Sequence, residues 1–410
     1  MDNLQPYVFK DYQKQKPFSS FLSGIAGKTG IPLWAFYVNR GQLISSFGIR
    51  DKNGAIMEFF PANSSYHHTP RLGFRTFVLV DGRVHEFFKE QNPDQSLFVR
   101  PDQVAIEEIA SDLGLKIKIT YFPLPEAEIG ALCRKVEITN LKDKPQTIEI
   151  VDGLAQIMPA GVGYGEYKSI SNLLQSWMQA GEDKGFITYK LRASTADSSE
   201  VSVTRNVNFF LTYAKDEHHY IYDYKLLFRE DTSLETPYGF LEGGVRKLSQ
   251  GFQCQVNQVP CGFTAIRYER LASSSFVSVY GYASDLELAR NFQREIGPEY
   301  FADKERRNVE IHQELIGAIE TKTAKPLFDR YLGQCYLDNV LRGGKPMLVD
   351  TKDGKIGYHL YSRKHGDPER DYNFFHLEPS FYSQGNGNFR DVLQNRRNDV
   401  FFDPMIGDFN

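Results

Sequence analysis

Chemistry-bearing side chains concentrate in one stretch near the C-terminal end, "YSQGNGNFRDVLQNRRND", residues 382–399. Within it Arg390, Asp391, Gln394, Asn395, Arg396, Arg397, Asn398 and Asp399 supply guanidinium groups, carboxylates and planar amides. These groups hydrogen-bond at fixed angles and match the hydroxyl pattern of a sugar ring. Phe374, Phe375, Phe381, Tyr382 and Phe389 offer apolar faces for the ring's C–H side. On composition alone, a helix N-terminus with solvated charges is the simpler reading of the stretch. Other reactive groups are scattered. His67-His68 and His218-His219 are adjacent pairs; neighbours on a strand face opposite ways, so neither pair chelates a metal by itself. "YVNRGQLISSFG" reads as a strand and turn with Arg40 on the surface, or as a loop that helps close a neighbouring active site. No GxxxxGK[ST] phosphate loop occurs, and the glycines of "GNGN" lack a strand before and a helix after them. Glu378, placed before a proline in "HLEPSF", reads as a turn residue rather than a catalytic base.

The elements that must position these groups are mostly strands. From about 33 to 283 the chain shows short alternating runs with turn signals between them. In "LGLKIKITYF", Leu113, Leu115, Ile117, Ile119 and Tyr121 alternate with Gly114, Lys116, Lys118 and Thr120, giving one apolar face and one wet face. "CRKVEITNL" and "QTIEIVDGL", separated by "KDKPQ", read as a hairpin. "LISSFGI", "FRTFVLV", "VSVTRNVNFFLTY" and "SSFVSVYGYA" carry the count past ten strands, which predicts a mainly β fold built on a large two-sheet sandwich. At Ser284, an expected N-cap, the period becomes helical through Leu286, Ala289, Phe292 and Ile296. "NVEIHQELIGAIE" continues it, and "KPLFDRYLGQCYLDNVLRGGKP" is a third helix with Pro326 near its start and Gly343-Gly344 as its stop. The expected organisation is an N-terminal extension at 1–32, a sandwich at 33–283, a helical linker at 284–325 and a further helical unit from 326 to 410.

Composition narrows the function classes. A length of 410 residues suits two or three domains. A net charge of −4 with both signs interspersed gives no basic field for nucleic acid. No window holds about 18 uninterrupted apolar residues and the start lacks a signal-peptide core, so a cytoplasmic protein outside the membrane is expected. Cys133, Cys254, Cys261 and Cys335 are too few for a disulfide framework, and reduced thiols are expected. Cys254 and Cys261 would face each other across a hairpin around "VNQVP", where further metal ligands are lacking.

Taken in order, "GIPLWAFYVNRGQLISSFGIRDKNGAIMEFFPAN", "CRKVEITNLKDKPQTIEI", "PLFDRYLGQCYLDNVLRGG" and "GNFRDVLQNRR" resemble the inverting cellobiose-type phosphorylases of glycoside hydrolase family 94, most of all the large β-oligoglucan phosphorylases. The resemblance implies a galactose-mutarotase-like sandwich, a helical linker and an (α/α)6 catalytic barrel, of which this chain would hold the start. It implies phosphorolysis of β-glucosidic bonds with inversion: an aspartic acid protonates the leaving oxygen while inorganic phosphate attacks the anomeric carbon, giving α-glucose 1-phosphate. Phosphate is then a co-substrate, and no metal or organic cofactor is needed. By position Arg390, Asp391 and Gln394 match the family's F-R-D-x-x-Q-D motif, which belongs to the pocket holding the non-reducing-end glucose; Asn395 stands where the family often has Asp, and Arg396 follows it. The general acid is expected beyond Asn410, so the chain alone is expected to be inactive. The implied partners are a β-linked gluco-oligosaccharide and phosphate, with a homodimer or pairing with the rest of a barrel as the protein contacts. Two other classes stay open: a stand-alone carbohydrate-binding or structural sandwich, and a glycoside hydrolase fragment, which needs a second carboxylate to activate water.

Overall fold

The structure, a computed structural model, describes residues 4–193, 199, 204–256, 258–361, 375–383 and 394–407. Its strands, in chain order, are β1 (Tyr7–Lys10), β2 (Ser19–Leu22), β3 (Trp34–Val38), β4 (Ile44–Gly48), β5 (Ala55–Met57), β6 (Phe74–Val80), β7 (Arg83–Phe87), β8 (Gln95–Val99), β9 (Val104–Ala110) and β10 (Leu115–Pro123). They continue as β11 (Gly130–Asn140), β12 (Gln146–Leu154), β13 (Met178–Asp183), β14 (Phe186–Leu191), β15 (Val207–Tyr213), β16 (His218–Ile221), β17 (Gly262–Leu271), β18 (Ser273–Ala283), β19 (Lys345–Thr351) and β20 (Gly354–Leu360). A nine-stranded sheet, ordered β1-β8-β9-β10-β11-β18-β15-β14-β13, faces a five-stranded sheet, ordered β16-β17-β12-β6-β7. A four-stranded sheet, β2 to β5 in order, contributes to the same core, and β19 and β20 form a hairpin.

The alternation read from "LGLKIKITYF" is realised: Leu115, Ile117, Ile119 and Tyr121 are fully buried, with Ile117 opposite Ile138 and Ile119 opposite Val136 in antiparallel register. They meet Ile148, Ile150 and Leu154 of the facing sheet in one core. Burial of this apolar area is the main stabilising term of the fold. Each sheet is covered on its outer side as well. Helices α1 (Ala62–Leu72), α2 (Tyr164–Trp177), α3 (Tyr224–Phe228) and α4 (Tyr238–Ser249) interrupt the strands, and α3 and α4 lay Leu227, Phe228 and Phe240 on the outer face of the five-stranded sheet. Helices α5 (Leu286–Glu295) and α6 (Tyr300–Ile316) pack Phe292 and Phe301 over Cys133, Phe209 and Val279 of the nine-stranded sheet. Helix α7 (Pro326–Gly343) then joins α6 and the β19–β20 hairpin in a smaller core with Leu4 and Ile25.

Several sequence expectations change in detail. β11 and β12 are not a hairpin. β11 pairs with β10 and β18, whereas β12 pairs with β17 and β6 in the opposite sheet. Alternation says which side chains face inward and is silent about the partner strand, so the two runs satisfy either arrangement. The crossing is held by the Asn140 amide, which donates to Leu271 O at 3.1 Å and accepts from Gln146 Nε2 at 2.7 Å. Within the N-terminal extension, β1 pairs with β8 and β2 pairs with β3. The helices α1 to α4 lie where only strands were expected. α1 carries a proline, Pro70, and α4 is broken at Gly243 and Gly244, which blurs a 3.6-residue period. Gly244 has φ 61°, and a Cβ there would lie 2.0 Å from Glu149 Oε2. The N-cap of α5 is Asp285, one residue after Ser284, with its carboxylate accepting from Leu288 N at 3.0 Å.

Candidate functional site

Helix α7 stops where Gly344 adopts φ 88° and its N–H closes on Val340 O, a turn that a residue with a side chain rarely makes. The β19–β20 hairpin follows, and its second strand carries His359 inward, 5% exposed. Against this corner lies the described part of the stretch that opened the sequence reading. Asn395 Nδ2 donates to Asn339 Oδ1 of α7 at 3.3 Å. Arg396 Nε donates to Gly343 O at 3.1 Å. Asp399, 1% exposed at the start of the helical turn Asp399–Phe402, has Oδ2 3.5 Å from His359 Nε2. The approach is close enough that a Cβ on Gly343 would sit 3.1 Å from Asn395 Cβ.

Charge fits this corner. The last carbonyls of a helix lack internal partners and carry its negative dipole end, so a guanidinium at Gly343 O is favourably placed. Half-burial pulls the Arg396 pKa down, and the Asp399 carboxylate works the other way. The corner therefore brings together two amides, a guanidinium, an imidazole and a carboxylate from three separate segments of the chain, with Asn339, His359 and Asp399 buried.

Of the sequence-derived residues, Asn395 and Arg396 come together here, and Gln394 is exposed beside them with its carbonyl accepting from Asn398 Nδ2 at 3.4 Å. Arg390 and Asp391 lie outside the described residues, as do Phe374 and Phe389. Phe375 is not a sugar platform: it is 5% exposed, packed within 4.8 Å of Trp34 and 5.3 Å of Phe36, ring centre to ring centre. Phe381 and Tyr382 are exposed. Glu378 is exposed and pairs with His376 at 3.1 Å. Asn339 and His359 were not singled out from the sequence; in "KIGYHLY" His359 has the parity opposite to Ile356, Tyr358 and Leu360, so alternation gave no signal for it.

A second polar concavity opens on the sandwich itself, with a volume of about 560 Å³. Its walls come from the β3–β4 turn with Arg40, from α1 with His67 and Arg71, from Arg75 at the start of β6, and from Glu86 and Lys89 at the end of β7. Arg40 is thus part of a wall, its Nη1 donating to Asn39 O at 2.7 Å and Nη2 to Gln15 O at 3.3 Å. His67 and His68 lie on a helix, not a strand. His68 stacks on Phe60 with ring centres 4.3 Å apart, and burial lowers its pKa. Among the described residues no group of three or more His, Cys, Asp or Glu side chains is placed to hold a metal ion. All four cysteines are free. Cys261 lies buried just before β17, while Val256 bridges Gln179 rather than turning a hairpin. No described helix is long and apolar enough to cross a membrane.

Fold and site together define a mainly β protein: a two-sheet sandwich with helices on both outer faces and a helical corner attached. No family model matches the chain, and no curated protein matches it. Among solved structures it is similar to a bacterial glucoamylase complexed with acarbose, at 8% identity and a TM-score of 0.40, covering 83% of this chain and 43% of that one. A family GH92 inverting mannosidase from Bacteroides thetaiotaomicron gives 10% identity and a TM-score of 0.38 over 82% of this chain and 38% of that one. A GalM/aldose epimerase homologue from C. elegans gives 13% identity and a TM-score of 0.31 over 65% of this chain and 99% of that one. The chain thus spans about two fifths of the length of the first two, and likenesses this weak carry no argument about its chemistry.

Proposed function

We propose that this chain is the N-terminal portion of an inverting glycoside phosphorylase that cleaves β-glucosidic bonds of gluco-oligosaccharides with inorganic phosphate. The observation that carries the reading is the corner at the end of α7, where Asn395 and Arg396 of the "FRDVLQNRR" motif bond Asn339 and the Gly343 carbonyl. Its role would be that of a wall of the sugar pocket: amide and guanidinium groups orient the hydroxyls of the terminal glucose. The proton for the leaving oxygen would come from an aspartic acid on a barrel segment outside this chain. Phosphate would form the new C1–O bond from the opposite face as the glycosidic C1–O bond breaks, which inverts the anomeric centre. Exposed apolar side chains between α7 and the chain's end, including Leu327, Phe328, Tyr331 and Phe401, are consistent with a surface that barrel helices cover.

The test is a phosphorolysis assay on the 410-residue chain and on the product of its reading frame continued downstream. The longer product is expected to release α-glucose 1-phosphate from a β-linked gluco-oligosaccharide only when phosphate is present, and the chain alone is expected to release none. Reducing sugar without glucose 1-phosphate would point to a hydrolase, and saccharide binding by a chain with no continuing frame would point to a binding module.

A further inference from the structure

We propose that the concavity between the β3–β4 turn, α1 and the end of β7 is a second saccharide-binding site, carried by the sandwich and separate from the corner at α7. Its lining includes pinned, buried polar groups. Arg75, 2% exposed, donates from Nε to Glu86 Oε1 at 2.6 Å and from Nη2 to Glu86 Oε2 at 2.8 Å, and its Nη1 donates to Leu234 O. Gln13, also 2% exposed, donates to Phe88 O at 2.8 Å and accepts from Gly41 N at 2.7 Å. Side chains held this way do not need to reorganise when a ligand arrives.

The lining chooses the ligand class. Four cations, Arg40, Arg71, Arg75 and Lys89, share the walls with three carboxylates, Glu86, Glu90 and Glu235. The Arg75 charge is matched by Glu86, which also takes Lys89 at 3.1 Å. Near balance of sign disfavours a strongly charged ligand of either kind, and so many polar groups disfavour an apolar one. A neutral polyhydroxylated molecule satisfies donors and acceptors together. Tyr66 and His67 at the rim add flat rings for its C–H face. The volume of about 560 Å³ suits one or two sugar units.

This inference does not depend on phosphorolysis, because binding here needs neither phosphate nor a general acid. The experiment is calorimetric titration of the 410-residue chain with cellobiose, laminaribiose and maltose, and separately with inorganic phosphate, repeated on His67→Ala, Arg71→Ala and Arg396→Ala. Both α1 substitutions are at exposed positions, and unchanged melting curves confirm that they fold. The expected result is saturable binding of at least one disaccharide, weakened about tenfold or more by His67→Ala and Arg71→Ala and far less by Arg396→Ala. The proposal is overturned if no disaccharide binds, if phosphate alone binds, or if Arg396→Ala abolishes the binding while the α1 variants retain it. Binding lost in all three variants also overturns it as a separate site.

Discussion

Arg134 and Asp152 form an ion pair with both side chains 0% exposed, at the centre of the sandwich. Arg134 Nη2 lies 2.6 Å from Asp152 Oδ1 and Nε lies 3.0 Å from Oδ2. The guanidinium also donates to Gln42 Oε1 at 2.6 Å and to Tyr121 OH, while Thr76 Oγ1 donates to Asp152 Oδ1 at 2.6 Å. Because Arg134 is on β11 and Asp152 on β12, the pair ties the two facing sheets across the core. Burial opposes the charge on Arg134, but Asp152, Tyr121 and Tyr280 together outweigh it, so the guanidinium pKa is raised. Asp152→Asn keeps the shape and strands a buried cation. Removing one partner of such a pair costs about 3–5 kcal/mol, and at about 2 °C per kcal/mol for a domain of this size the sandwich transition should fall by about 6–10 °C. Arg134→Met should fall comparably. The double variant Arg134→Met/Asp152→Leu removes both charges and should recover most of the loss, since apolar replacement of a buried pair is often neutral. The assay is calorimetric melting of the four proteins at one pH and salt concentration. Single variants that melt within about 1 °C of the parent, or a double variant as damaged as the sum of the singles, would refute the idea that the pair holds the sheets together.

Three further outcomes follow from named residues. His312 is buried between Asn308 O and Ser23 Oγ, each 2.8 Å from a ring nitrogen, and burial lowers its pKa. The folded state then binds fewer protons than the unfolded one, so stability is full above about pH 6.5 and falls as pH drops below it, with a slope near 1.4 kcal/mol per unit from this group. Melting from pH 7.5 to 5 should show a smaller acid loss in His312→Gln than in the parent; identical slopes would count against it. Gly244→Ala forces a Cβ toward the Glu149 carboxylate, which accepts from Val245 N at 2.6 Å, and should destabilise by about 1–3 kcal/mol, read as a lower denaturant midpoint. Asn395→Ala and Arg396→Ala should weaken gluco-oligosaccharide binding at the α7 corner of the longer product with little change in melting, whereas Gln394→Ala, at an exposed position, should do less. Equal effects from all three would detach binding from this corner.

How much of this was legible depended on what each residue reports about its own surroundings. The inward faces of β10, β11 and β12 could be read because their apolar residues alternate. Arg134 and Asp152 sit on those same inward positions, two residues from Val136 and from Ile150; strand parity turns each of them inward, but the sequence reading did not single them out, and parity does not pair them. The partner strands were not legible, since β11 and β12 would show the same pattern in one sheet or two. The interrupting helices were hidden by Pro70 and by the Gly243-Gly244 break. At the corner, the short-range motif named Asn395 and Arg396, but His359 and Asn339 arrive from residues 36 and 56 positions away from Asn395, a distance no local pattern spans. The sandwich concavity was foreshadowed only by Arg40; its other walls come from segments with no shared spacing.

The most direct test of the central claim is the phosphate-dependent release of α-glucose 1-phosphate from β-linked gluco-oligosaccharides by the product of the continued reading frame, measured with the 410-residue chain in parallel. The phosphorolysis reading predicts product from the first, strictly requiring phosphate, and none from the second. Glucose 1-phosphate released by the 410-residue chain alone, or phosphate-independent cleavage by the longer product, would contradict it.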